Sequence, residues 1–389
     1  MIRIARPALF VLLGIALAGA GQAQPVPTPV APGVAIPAPP ASAAKAYILL
    51  DPNSGQVLAR QQEQERLDPA SITKLMTAYA VFRALRDGRI SLEDQVTVSE
   101  KAWRTGGSRT FIEVGTRVSV SDLLQGMIVQ SGNDASVALA EHVAGAEDTF
   151  AQLMNQHAAE LGMVNSSFQN STGLPASNHF MSAADIATLA TAIIREFPEH
   201  YRWYSQQEFT YNGITQRNRN TLLWREGGVD GMKTGYTENA GYCLVTSAER
   251  DGMRLIGVIL GTASPATRAR ESEALLNYGF RFFETRLLVP AGRAVTEARV
   301  WKGERENTGL GTRQSVYVTV PRGAGDRLAM QFDLPAQLLA PLAADSALGQ
   351  LRVSLDEQML LEAPLYPLDA VAEGSLWQRT RDSVLLWFN

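Results

Sequence analysis

Three short stretches of this chain combine hydroxyls, amines and an amide in ways that suit acyl transfer. In Ser71-Ile-Thr-Lys74 a hydroxyl and an amine stand one helical turn apart, so on a helix they share a face and can meet. A serine hydroxyl is a weak nucleophile without an adjacent base. A lysine becomes that base when burial and neighbouring positive charge lower its pKa. Ser131-Gly-Asn133 places a second hydroxyl and an amide on what reads as a tight turn between helices, able to relay a proton and to bind a peptide group. Lys233-Thr-Gly235 reads as part of a strand. There the lysine brings positive charge, Thr234 a hydroxyl, and Gly235 room for another backbone to come close.

Each stretch alone is common: a helical serine near a surface lysine, a capped turn, a strand tripeptide. Their joint occurrence in this order is not. Ser-x-x-Lys, Ser-Asp-Asn and Lys-Thr-Gly form the signature of class A β-lactamases and penicillin-binding proteins, here with Gly132 in place of Asp. With Pro69-Ala-Ser-Ile-Thr-Lys-Leu-Met-Thr77, Asn170-Ser-Thr-Gly-Leu174 and Gly279-Phe-Arg-Phe-Phe-Glu-Thr285, the chain resembles the low-molecular-mass penicillin-binding proteins of the serine D-alanyl-D-alanine carboxypeptidase family. The likeness is close from Ala46 to about Thr285 and looser beyond.

That resemblance implies Ser71 as nucleophile, Lys74 as its base and Ser131 as proton relay. It also implies Asn133, Lys233, Thr234, Gly235 and Tyr236 as substrate-binding positions. Tyr236 stands where the family often has His and is expected to act through its backbone N–H, in an oxyanion hole shared with Ser71. Arg268 is the expected binder of the substrate's terminal carboxylate, a task that fits the guanidinium fork, with Arg270 as competitor. The implied partners are peptidoglycan stem peptides, with β-lactam antibiotics as acylating inhibitors; no cofactor, metal or nucleic acid is implied.

Three rivals remain. A class A β-lactamase needs a further carboxylate for deacylation after the second motif, yet positions 161–184 hold no Asp or Glu. A D,D-endopeptidase on the same fold would use the same residues. A catalytically silent wall-binding protein would have no reason to keep them together. His142, His157, His179 and His200 lie outside the motifs, which argues against a Ser-His-Asp triad.

Composition agrees. A net charge of -4 offers no basic surface for nucleic acid. The single cysteine, Cys243, excludes an intramolecular disulfide and a multi-cysteine metal site, and its apolar setting reads as a buried thiol.

The elements that must position these residues follow the apolar pattern. A hairpin is expected at Ala46–Leu50 and Gln56–Ala59, and a helix from Ser71 to about Arg86. Further helices are expected at Ser121–Gln130, Ala135–Val143, Thr149–Leu161 and Ser182–Arg195, the last opened by a capping box with Asp185 in the Glu position. Strands at Tyr242–Ala248 and Met253–Leu260, then a helix over Ala266–Thr285, would close one sheet built from both ends of an α+β, transpeptidase-like domain spanning 45–286. Short alternating runs over 287–370 predict a small all-β domain.

At the start, Arg3 and Arg6 precede an apolar stretch and small residues. This is the layout of a signal peptide over 1–23, cleaved after Ala20 or Ala23, or else a retained anchor. A Pro/Ala-rich linker, 24–44, follows. At the other end, Leu376, Trp377, Val384, Leu385, Trp387 and Phe388 share one broad face of a helix within 371–389. Such a helix either lies in a membrane interface or docks on its own domain. The first alternative, with export, places the enzyme peripherally on the periplasmic face of the inner membrane.

Overall fold

The computed structural model describes residues 36–387 except Glu226. The signal-peptide reading, most of the linker, and Phe388 lie outside the described residues. The chain opens with the expected hairpin, β1 (Ala46–Leu50) and β2 (Val57–Gln61). A 3-10 turn, Ala70–Thr73, then leads into α1 (Lys74–Arg86).

Next come β3 (Gln95–Thr97), α2 (Glu100–Arg104), β4 (Arg117–Ser119), α3 (Val120–Val129), α4 (Asn133–Ala144), α5 (Glu147–Glu160), α6 (Ala183–Glu196) and the single turn α7 (Pro198–Tyr201). A small hairpin, β5 (Glu208–Tyr211) and β6 (Ile214–Arg217), precedes the long strands β7 (Val229–Thr237), β8 (Gly241–Arg250) and β9 (Met253–Thr262).

The five-stranded sheet has the order β2-β1-β9-β8-β7, antiparallel where strands pair. Both ends of the domain thus contribute, as expected. Side chains alternate between its faces: Ala46 and Ile48 pack toward the helices around α1, whereas Tyr47 and Leu49 pack toward α8 (Pro265–Phe282). Helix α1 runs through the centre of the larger core, with Leu75, Met76, Ala78, Ala80 and Phe82 fully buried. The first turn of that helix is thereby fixed.

Four expectations need correction. The 36–44 part of the linker packs on α8, because Ala44 is buried, the Pro37 carbonyl accepts from Tyr278 Oη (3.0 Å) and Ser42 Oγ donates to Glu271 (2.6 Å). Helix α8 ends at Phe282, not Thr285; Phe283 begins strand β10 (Phe283–Val289), whose partner lies in the second domain. Ser182 caps α6 by accepting from Asp185 N–H (3.1 Å). The Asp185 carboxylate instead accepts from Asn165 N–H and Ser166 Oγ (2.8 Å each), so the capping box is half formed. Finally, Ser71 sits on the 3-10 turn that precedes the helix proper.

The second domain is all-β, as expected. It comprises β10, β11 (Ala294–Trp301), β12 (Asn307–Gly311), β13 (Val316–Pro321), β14 (Leu328–Asp333), β15 (Leu338–Leu339), β16 (Gly349–Leu355) and β17 (Gln358–Pro367). Val289, Leu310, Val318, Leu351, Val353 and Leu365 form its core. A hydrogen-bonded joint ties it to the first domain: Ser54 Oγ meets Thr319 Oγ1 (2.6 Å), which meets Thr285 Oγ1 (2.9 Å), which in turn donates to the buried Asp51. The chain ends in α9 (Leu376–Leu385).

Candidate active site

Ser71 is held from below by α1 and from the side by two close backbone approaches. A Cβ on Gly173 would overlap the Ala70 carbonyl, and the φ of +81° there favours glycine as well. A Cβ on Gly235 would meet Pro69 O at 3.0 Å and Ile72 at 3.2 Å. Strand β7 thus lies so close to the serine turn that a side chain at position 235 would have to push its neighbours aside by a few tenths of an ångström.

Lys74 is 2% exposed. Its Nζ lies 3.0 Å from Ser71 Oγ and donates to the Thr172 carbonyl at 2.7 Å. Burial lowers its pKa to about 7, helped by the positive charge of Arg219 and opposed by Asp134. Lys233 is buried as well and is pushed well below its ordinary value by burial and by Lys74, Arg219 and Arg268. Four cations thus crowd one low-dielectric site, and at least one amine is poised to be neutral near neutral pH.

Ser131 is the middle residue of the turn between α3 and α4, in the left-handed region (φ +68°), and it borders the cleft. Its Oγ is buried without a hydrogen-bond partner. Asn133 donates through Nδ2 to Gly106 O (2.6 Å), while its Oδ1 is buried and unpaired. Unpaired buried acceptors and hydroxyls are costly, so their presence here marks groups kept ready for a ligand.

Ser71, Ser131, Asn133, Thr234, Gly235, Tyr236 and Arg268 all border one cleft of about 490 Å³, with Lys74 and Lys233 buried beneath. Arg268, on the first turn of α8, is buried with an unpartnered Nε. Arg270 points away, its side chain 69% exposed beside Glu271. The sheet order leaves β7 as an edge strand along the cleft, a place where an extended peptide can add.

Three contributors were missed by sequence reasoning. Arg219 borders the cleft, just after the β5–β6 hairpin. The Asn212-Gly213 turn of that hairpin, both residues at positive φ, was the signal that could have located it. Asp134 is fully buried and accepts from the N–H groups of Thr110 (2.8 Å), Phe111 (2.9 Å) and Ile112 (3.3 Å), fixing the loop over Asn133. Glu147 accepts from Ser171 N–H (3.0 Å) and Oγ (2.7 Å) and pairs with Lys101 (2.9 Å). It thereby holds the loop whose Thr172 carbonyl engages Lys74.

Because Arg219 lowers the Lys74 pKa, removing it has a sign. With the neutral amine as the expected base, kcat/KM should fall as pH drops through about 7. In Arg219→Ala the amine keeps its proton to higher pH, and the acid limb should move upward by a measurable fraction of a pH unit. A limb that stays in place would separate Arg219 from Lys74.

The sheet-and-helix domain with a β domain behind it is the architecture of penicillin-binding proteins. Penicillin-binding protein 5 from Haemophilus influenzae superposes with a TM-score of 0.82 at 41% identity, covering 86% of this chain and 99% of that one. An ampicillin-bound structure of penicillin-binding protein D2 from Listeria monocytogenes matches with a TM-score of 0.57 at 30% identity over 61% of this chain and 98% of that one.

The chain belongs to the D-alanyl-D-alanine carboxypeptidase family, whose model matches residues 34–264; the model for the C-terminal domain of penicillin-binding protein 5 matches 283–373. The D-alanyl-D-alanine carboxypeptidase DacC of Escherichia coli (strain K12) is 44% identical over 358 residues, 90% of each chain. The protein is a serine peptidase with a D-alanyl-D-alanine carboxypeptidase fold and family; its second domain begins with β10, as the 283 boundary also indicates.

Proposed function

We propose that this chain removes the terminal D-alanine from peptidoglycan stem peptides through an acyl-enzyme on Ser71. The observation that carries this reading is the Lys74 amine, 3.0 Å from Ser71 Oγ, with its pKa brought to about 7. Lys74 takes the Ser71 proton as Oγ bonds to the carbonyl carbon of the penultimate D-Ala. The resulting oxyanion rests on the N–H groups of Ser71 and Tyr236. As the C–N bond breaks, Ser131, helped by Lys233, gives its proton to the leaving nitrogen and takes back the one that Lys74 carries, so that Lys74 is neutral again. Asn133 holds the peptide through its amide, Thr234 and Gly235 line the acyl chain's path, and Arg268 takes the terminal carboxylate. Water then attacks the ester, with Lys74 again accepting a proton, and frees the shortened peptide.

The same attack opens a β-lactam ring, and no amine departs, so β-lactams acylate and persist. The 161–184 stretch, without a carboxylate, supports slow deacylation rather than β-lactamase turnover. Incubation with a labelled penicillin followed by peptide mass spectrometry tests the reading; label on any residue other than Ser71 overturns it.

We further propose that α9 holds the exported enzyme on the outer face of the cytoplasmic membrane. The helix docks on the β domain through its polar side: buried Asp382 accepts from Lys302 N–H (2.7 Å), and Arg381 pairs with Glu306 (2.8 Å). Leu376, Trp377, Val384 and Trp387 are left 54–90% exposed. The docking alternative of the sequence reading describes the polar face, and the exposed apolar face is what supports the membrane alternative.

Among the described residues no helix is long and apolar enough to cross a membrane; the attachment proposed for α9 is interfacial. Trp377→Ser with Trp387→Ser should move the protein from membrane pellet to supernatant with D-Ala release retained. Persistence in the pellet would assign the anchor elsewhere.

A further inference from the structure

The cleft has an unusual wall at its carboxylate end. Across the β7–β8 ladder Tyr236 faces Tyr242, and their rings stack with centroids 4.3 Å apart at 27°. The Arg268 guanidinium lies over the other part of this pair, 5.9 Å from the Tyr242 centroid. All three residues border the cleft. Tyr236 is 52% exposed, so a large flat apolar surface is held open to solvent beside an arginine whose Nε lacks a partner. Phenols ionise at about pH 10, and Tyr242 holds that of Tyr236 above its ordinary value, so the wall is uncharged around neutrality.

We propose that the Tyr236–Tyr242 pair is a specificity wall that reads the side chain of the leaving residue and favours donors whose leaving half carries a flat, apolar group. The inference rests on the carboxypeptidase reading and on Arg268 as carboxylate anchor. A carboxylate seated on Arg268 belongs to the leaving residue, and that residue's side chain branches from the adjoining Cα. With the guanidinium 5.9 Å from the Tyr242 centroid and all three residues on one cleft, a long side chain there can reach the rings. A methyl group covers little of that surface. An aromatic side chain can stack on it, a contact with a directional gain beyond buried area. Stacked tyrosines lose little freedom on binding, since each is already held by the other.

The test compares two donors, N-acyl peptides ending in D-Ala-D-Ala and in D-Ala-D-Phe, by kcat/KM in the full-length enzyme. The oxyanion contact from the Tyr236 N–H is common to both, so the ratio of D-Phe to D-Ala turnover isolates the side chain. In Tyr236→Ala that ratio should fall about tenfold, chiefly through KM of the D-Phe donor, and in Tyr242→Leu it should fall in the same direction. Tyr236→Phe should keep it within about twofold, because the ring rather than the hydroxyl supplies the contact.

A ratio unchanged or raised in both Tyr236→Ala and Tyr242→Leu overturns the wall while leaving the carboxypeptidase reading intact. Failure of the unaltered enzyme to release D-Ala overturns that reading and the wall with it. Should Tyr236→Ala not fold, Tyr242→Leu decides the ratio alone.

Discussion

Ser71→Ala should abolish both release of D-alanine and labelling by penicillin, leaving a folded protein. Ser71 is half-buried, bordering the cleft on a turn whose backbone is held by α1, Gly173 and Gly235, so deleting one oxygen removes the proposed nucleophile without opening a large cavity. Lys74→Ala should be nearly as damaging. Its amine, the proposed base, lies within reach of Ser71 Oγ, and a serine without a base is mostly unreactive near neutral pH. Losses of several orders of magnitude are expected for either change, measured by D-Ala release and by labelled penicillin with mass-spectrometric mapping. Full labelling of Ser71→Ala would sink the assignment of the nucleophile. The lysine variant also leaves the Thr172 carbonyl without its partner, so its folding is to be checked by near-UV circular dichroism.

Arg268→Ala should lower kcat/KM on stem-peptide mimics by on the order of a hundredfold. Truncating one partner of a buried charged pair costs about 2–5 kcal/mol, and tenfold corresponds to about 1.4 kcal/mol. Arg268 is buried at the cleft with its Nε unpaired, so a carboxylate there would be held away from water. Arg270→Ala, by contrast, should change kcat/KM little, since Arg270 is largely exposed. Amidation of the peptide's terminal carboxylate should erase the difference between Arg268→Ala and the unaltered enzyme. The opposite ranking of the two arginines would refute the carboxylate role.

What the sequence made readable was local. Ser71 and Lys74 announce themselves because a helical turn alone brings them together, and the three motifs carry their spacing within four residues each. The central sheet was readable from the alternation in Ala46–Leu50 and from the long apolar strands around Cys243.

Arg219 and Glu147 were not readable as site residues: the Asn212-Gly213 turn marks a hairpin before Arg219, but only tertiary approach brings Arg219 to the cleft and Glu147 to Ser171. The end of α8 was misplaced for a related reason. Phe280, Phe282 and Phe283 continue an apolar pattern that helix and strand share, and only pairing of Phe283 with Pro321 decides it. The tail showed its apolar stripe in the sequence, but that the polar stripe would do the docking depended on Lys302 and Glu306, far away in the chain.

Cys243 has a consequence of another kind. Its sulfur is fully buried in the central sheet, and burial raises the thiol to about 11. Only a thiolate reacts readily with alkylating or oxidising agents, so in the closed sheet this atom is doubly protected, by access and by protonation. Reaction at Cys243 must then pass through an opened form of β8 and its neighbours. Because Cys243 is the chain's sole thiol, the rate of its alkylation reports the free energy of opening the strand that carries it. The protein thus contains a natural clock for the integrity of its own sheet, one that a covalently bound β-lactam would slow by the factor by which it disfavours opening.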